Sequence, residues 1–138
     1  MHPNAQLFLA FHDAQGRFYA GGGDDELRSV LGDDVTWHVP GRSAIAGHHR
    51  GIDDVIAYFA RRRALTGATF RVEVRDVLAN DERVIALSGG VAERGQNRYR
   101  WETAGVFRVA DGQIADEWSE ASLMPEIVGH PSSGAEGR

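Results

Sequence analysis

The sequence contains no cysteine. Disulfides, thiolate nucleophiles and zinc–thiolate sites are thereby excluded. No apolar run approaches the roughly 20 residues that span a bilayer, and the N-terminus lacks the basic region followed by an apolar core that marks a secretory signal. The expectation is a cytoplasmic chain with no membrane partner. Positive charge is also in short supply. Fifteen Lys and Arg stand against 20 Asp and Glu, for a net charge of −5 and a pI near 5.6. Neutralising phosphates requires a concentrated basic surface, so nucleic acid is not an expected partner. The run Arg61, Arg62, Arg63 is the local exception and reads as the solvated end of a helix, where cations suit the C-terminus.

What is present suits one domain of ordinary soluble composition, 42% apolar and 25% charged over 138 residues. Residues 1–129 read as that domain. Residues 130–138, rich in Gly, Ser and Pro, read as a tail.

The chain turns on residues 35–51, VTWHVPGRSAIAGHHRG. Val35, Thr36, Trp37, His38 and Val39 favour a strand, with Val35, Trp37 and Val39 on one face and Thr36 and His38 on the other. Pro40 and Gly41 end it. Gly47 and Gly51 frame what reads as a short loop carrying His48, His49 and Arg50. Upstream, residues 6–19 have helical spacing weakened by Gly16, and Asp24 is a plausible N-cap for a short helix ending at Gly32. Downstream, a helix starts at Asp53 with Val55, Ile56, Tyr58, Phe59 and Leu65 as its buried stripe and stops near Gly67.

After Gly67 the apolar period changes from about 3.6 to 2. Phe70, Val72 and Val74 alternate with charged residues, so this strand has one wet face. Asn80 and Asp81 turn the chain into residues 83–93, where Val84 to Leu87 suggest burial on both faces and Gly89 and Gly90 suggest a bulge or sharp bend. A strand over 98–109 leads through Asp111 and Gly112, a strong hairpin signal, into 113–122. Helices followed by a meander make an α+β domain with helices on one face of a curved sheet.

Four segments, RFYAGGGD, DDVTWHVPGRSAIAGHHRG, DVLANDERVIAL and VFRVADGQIADEW, resemble the SnoaL-like branch of the nuclear transport factor 2-like (NTF2-like) superfamily. The resemblance covers residues 18–122. It implies a cone in which a curved mixed or antiparallel sheet wraps around N-terminal helices and encloses an apolar pocket, commonly in a homodimer. The superfamily includes ketosteroid isomerases, polyketide cyclases, limonene epoxide hydrolases, dehydratases and members without catalysis, so function has to be argued from the pocket. The general-base Asp of ketosteroid isomerases falls at Val39 and their oxyanion-stabilising Asp at about Gly105. Related SnoaL-like proteins often carry a His near Gly105, and polyketide cyclases an Asp at about Ser119; neither is present. The Asp, Arg, Asp set of the epoxide hydrolases has no convincing counterpart.

Strand parity supplies the remaining candidates. If Gly105 and Ser119 face the pocket, so do Trp101, Thr103 and Phe107 on one strand and Glu117 and Ala115 on the other. Glu117 is then the candidate acid or base, because an apolar wall disfavours its charged form; otherwise it faces solvent or pairs with an arginine such as Arg108. His38 is the second catalytic candidate, although parity sets it opposite the pocket wall, where it would be a structural or dimer-face histidine. His48 and His49 diverge on extended backbone with no carboxylate at ligand spacing, so no metal is expected. Trp37, Val39, Tyr58, Trp101, Thr103, Gly105 and Ser119 are the candidate substrate contacts, and Tyr19 offers a phenol from the first helix. Asp76 and Glu102 read as surface or interface charges.

The leading expectation is cofactor-free acid–base chemistry of the isomerase, cyclase or dehydratase kind on a hydrophobic small molecule, in a homodimer. The alternatives are non-catalytic binding or sequestration of an apolar molecule, and a dimerising interaction domain with a vestigial pocket.

Overall fold

The computed structural model describes residues 1–41, 45–67, 69–121 and 126–128; the tail expected from 130 onward lies outside the described residues. Pro3 opens helix α1 (Pro3–Tyr19), where its missing N–H costs nothing, and the His2 ring accepts the Asn4 N–H at 3.0 Å. The helix runs through Gly16 without a break. Phe8, Phe11, Ala14 and Phe18 bury one stripe along it, and that packing outweighs the roughly 1 kcal/mol a glycine costs.

Helix α2 (Asp25–Val30) follows three glycines. Asp24 precedes it, but its carboxylate pairs with Arg28 at 3.2 Å instead of capping an N–H. The stop expected at Gly32 comes at Val30, because strand β1 (Leu31–Val39) already begins at Leu31, which pairs with Ile114 in the core. The expected histidine loop is also corrected. Residues 47 to 50 form strand β2 (Gly47–Arg50), antiparallel to β1 with Gly47 opposite Val39 and Arg50 opposite Thr36. Pairing satisfies the free edge of β1, a need that residue propensity does not reveal. Gly51 then donates to the Val35 carbonyl at 2.8 Å, which fixes the start of helix α3 (Ile52–Leu65).

Strands β3 (Arg71–Ala79), β4 (Arg83–Arg94), β5 (Asn97–Ala110) and β6 (Gln113–Ala121) form the meander. Asp111 and Gly112 turn β5 into β6 with φ of 54° and 74°, the pair of positive values that a two-residue type I′ hairpin requires. Strand β6 then lies parallel to β1, giving an unclosed mixed sheet in the order β2-β1-β6-β5-β4-β3. A short strand, β7 (Glu126–Val128), pairs with β5 at 98–100 and has no counterpart in the sequence reading.

The double burial expected of β4 fails, and of the bulge or bend expected at Gly89 and Gly90 the bulge does not form. Val84 and Ala86 are buried while Ile85 and Leu87 are exposed, so only one face is covered. Gly89 and Gly90 stay in continuous register with β5. They make room instead: a Cβ on Gly90 would lie 2.3 Å from Cε2 of Trp101, and one on Gly89 would meet the Arg75 and Glu102 side chains. The register shifts lie in β1 between Leu31 and Thr36, in β3 between Val74 and Asp76, and in β6 at Ala115, which Ile114 displaces from the buried position.

The core lies between the helices and the concave face of the sheet. Phe8, Phe11 and Tyr19 of α1 and Tyr58 and Phe59 of α3 meet Trp37, Phe70 and Phe107. Among the described residues no helix is long and apolar enough to cross a membrane.

Candidate functional site

Parity holds from Gly105 to Phe107 and from Ser119 to Glu117, and it brings Glu117 inside. It pairs with Phe107 on one side and with Trp37 on the other, and it is 2% exposed. Its Oε2 accepts a hydrogen bond from the Ser119 hydroxyl, two residues along the same strand face. Its Oε1 is buried with no partner among the described residues. Burial pushes the carboxyl up to about 8, against the opposing pull of the Ser119 hydroxyl, the Arg62 guanidinium and the His38 backbone N–H. The alternative pairing with Arg108 does not form, because Arg108 lies on the outer face with Asp116 at 2.5 Å.

The other candidates divide between wall and exterior. Trp37 is buried, its ring centre 5.4 Å from Phe11, 5.2 Å from Phe59 and 5.9 Å from Phe107. Val39 is half-buried at the end of the same face. Tyr58 is buried, stacked on His49 at 4.7 Å, and its phenol is pushed up by burial. Trp101 is half-buried against Phe70, with ring centres 5.4 Å apart. Thr103 and Gly105 sit in register with Ser88 and Ala86. A Cβ on Gly105 would crowd the Phe107 ring at 2.9 Å and lie in ordinary contact, 3.8 Å, with Glu117 Oε2.

His38 is not brought to Glu117. Its Nδ1 lies 2.9 Å from His48 Nδ1 on the outer face, whereas His49 turns inward to Tyr58 and reaches the Ile45 carbonyl at 3.0 Å. Among the described residues no three His, Cys, Asp or Glu side chains stand at metal-binding distance. Asp76 and Glu102 are exposed, and Glu102 pairs with Arg75 at 2.5 Å.

The apolar pocket expected inside the cone is occupied by side chains. The rings of Phe8, Phe11, Trp37, Phe59 and Phe107 pack centre to centre at 5.0–6.2 Å through the space between helix and sheet. Two surface depressions of about 110 and 380 Å³ lie elsewhere, around Thr69 and Glu93.

Two further groups belong to this interior. Tyr19 is buried, with its hydroxyl lacking a well-formed partner and its phenol pushed by burial up to about 12. Arg62 corrects the expectation of a solvated arginine run. Arg61 is exposed, Arg62 turns inward, and Arg63 lies over the Phe18 ring and donates to the Phe18 carbonyl at 3.0 Å. The sequence did carry a signal for Arg62: it follows Tyr58 by four residues and so continues the buried stripe of α3.

Over 97 residues the chain is 36% identical to the uncharacterized protein Rv0034 of Mycobacterium tuberculosis, covering 70% of this chain and 74% of that one. Among solved structures it is similar to Bal32a, from a soil-derived mobile gene cassette, with a TM-score of 0.77 and 30% identity over 87% of this chain and 92% of the other. An NTF2-like protein from Burkholderia xenovorans LB400 shares the fold at a TM-score of 0.72 and 18% identity, over 87% and 89% of the two chains. Residues 10–117 match the model of the SnoaL-like domain. With that match spanning most of the cone just described, the chain belongs to the SnoaL-like family, and it shares its fold with NTF2-like proteins.

Proposed function

We propose that this chain is a small-molecule enzyme whose cofactor-free acid–base chemistry, of the isomerase, cyclase or dehydratase kind, is performed by Glu117 on a hydrophobic substrate. One observation supports this above others: a carboxyl inside an aromatic cone with one oxygen held by Ser119 and the other unpartnered. Leaving a buried polar group unpaired costs about 1–3 kcal/mol, and the fold gains nothing visible from it. A proton-transfer role explains the arrangement. Oε2 already accepts from Ser119, so Oε1 is the oxygen that carries the proton. A substrate reaches Oε1 by displacing the rings that fill the cone; the proton then passes from Oε1 to it, and the carboxylate so formed, steadied by the Ser119 hydroxyl, takes a proton back, with no net change in the enzyme. Thr103 and Tyr58 then serve as hydrogen-bond donors to the substrate, Ser119 spends its one hydroxyl hydrogen on Glu117 and lines the site beside it, and Trp37, Val39, Trp101 and Gly105 form the wall. His38 supports the strand from outside, paired with His48.

The test starts from native mass spectrometry of protein purified from its own cells, to identify a bound apolar molecule and the oligomer mass. Turnover of that molecule is expected to fall by about 10²–10⁴-fold in Glu117→Gln with binding retained. Unchanged turnover removes Glu117 from the mechanism, and recovery of the molecule unaltered by the wild-type chain supports sequestration instead.

The outer face of the sheet favours a second, compatible reading, a homodimer. Cross-strand register aligns Leu78, Ile85, Val106, Trp118, His38 and His48 in one row across six strands. Leu78, Ile85 and Trp118 are 54%, 40% and 50% exposed there, with Leu87 beside them at 41%. An apolar row of this extent on one face is the kind of surface a partner covers.

A further inference from the structure

The acid–base reading leaves one interior charge unused. Arg62 presents its guanidinium carbon 4.7 Å from the centre of the Tyr58 ring and 4.6 Å from that of Phe70. Six other arginines hold a carboxylate, but among the described residues none lies within ion-pair distance of Arg62. A guanidinium stays charged at any pH a protein tolerates, and drawn away from water it calls for an anion. Aromatic faces offset only about 0.5–2 kcal/mol of that demand. Beside it lies the buried Tyr19 hydroxyl, which no described residue meets with good hydrogen-bond geometry. Tyr58 and Glu117 stand within electrostatic range of the same guanidinium. A cation, a buried hydroxyl beside it and a carboxyl with one oxygen unpartnered among the described residues are therefore grouped from α3, α1 and β6.

Arg62 and Trp101 are half-buried on either side of the buried Phe70 ring, where Tyr19, Tyr58 and Glu117 are buried too, so Arg62 and Trp101 mark the edge at which this interior meets solvent. We infer that this edge is an anion-binding position for an aromatic carboxylate, whose charge is taken by Arg62 with the Tyr19 hydroxyl donating beside it, and whose rings pack against the half-buried Trp101. The inference names the substrate class of the site proposed above and rests on that reading only for the reaction. A carboxylate is compatible with Glu117 because a protonated carboxyl does not repel it.

The test compares two probes of one shape, 2-naphthoate and the neutral 2-naphthamide, titrated into the full chain at pH 6.5 by calorimetry. The expected result is at least 10-fold tighter binding of the carboxylate by the wild-type chain. Arg62→Met is expected to erase the preference, Arg62→Lys to keep part of it, and Tyr19→Phe to weaken naphthoate binding several-fold. Should Arg62→Met fail to fold, the drop in selectivity of Arg62→Lys carries the test. Equal affinity for the two probes, no saturable binding of either at millimolar concentration, or a preference untouched in both Arg62 variants overturns the anion position. Glu117→Gln separates the two readings. Lost turnover without carboxylate preference keeps the acid–base role and sinks the anion position; preference with turnover indifferent to Glu117 does the reverse.

Discussion

Glu117 and Trp118 are neighbours in the chain and end on opposite faces of the sheet, the first 2% exposed and the second 50%. Alternation along β6 thus places a carboxyl against Trp37 and Phe107 inside the cone and an indole on the outer row beside His38. The two proposed activities, proton transfer within and association without, meet in one dipeptide and are separable by mutation.

The raised Glu117 carboxyl fixes the sign of a pH effect. The native chain keeps this proton up to about 8, whereas an unfolded glutamate releases it near its ordinary value of 4.5. Between those values the native state binds more protons, so the contribution to stability is complete below about pH 4.5 and is lost as pH rises through about 8. Thermal melts of wild type and Glu117→Gln are expected to converge at pH 5, with the variant relatively more stable at pH 9. A difference that stays constant with pH means that Glu117 does not titrate this way. Glu26 and Glu102, held low by Arg17 and Arg75, act at more acid pH and leave this window clear.

Trp37 is packed by three aromatic rings, and its removal leaves a cavity in the centre of the core. Trp37→Ala is expected to cost about 3–5 kcal/mol in urea denaturation. A loss below about 1 kcal/mol would show that the ring is held for a ligand rather than by its neighbours.

Gly90 is required by the Trp101 ring. Gly90→Ala forces that ring off the strand, with an expected loss of about 1–3 kcal/mol. In the Trp101→Ala background the same change is expected to cost little, so a double-mutant cycle reads the contact directly. Additive losses would place the strain elsewhere.

The outer row predicts an oligomer that one charge disrupts. Trp118→Asp is expected to convert a dimer to a folded monomer in sedimentation velocity, with an unchanged far-ultraviolet spectrum. A wild-type chain that sediments as a monomer at high micromolar concentration removes the dimer reading.

Much of this was legible in the residues. The change of period after Gly67 set out helices before sheet, and Asp111 and Gly112 set the last hairpin, because each depends on neighbours a few residues apart; Glu117 was a candidate for the interior only once the family resemblance had set Gly105 and Ser119 on the pocket face, and the fold decided between that and solvent. His38 and Trp37 likewise took the opposite faces that alternation requires.

The rest depended on contacts between distant parts of the chain. Residues 47 to 50 became a strand only because β1 had an open edge, and Gly89 and Gly90 lay flat in the sheet because Trp101, Arg75 and Glu102 needed the space. The aromatic filling of the cone, the inward turn of Arg62 between Tyr58 and Phe70, and the unpartnered Glu117 oxygen were set by packing and desolvation among α1, α3 and the sheet. Local sequence thus determined which residues could share a face, and tertiary structure decided which of them meet. The reason is physical: propensity and parity act along the chain, whereas burial and charge act through space.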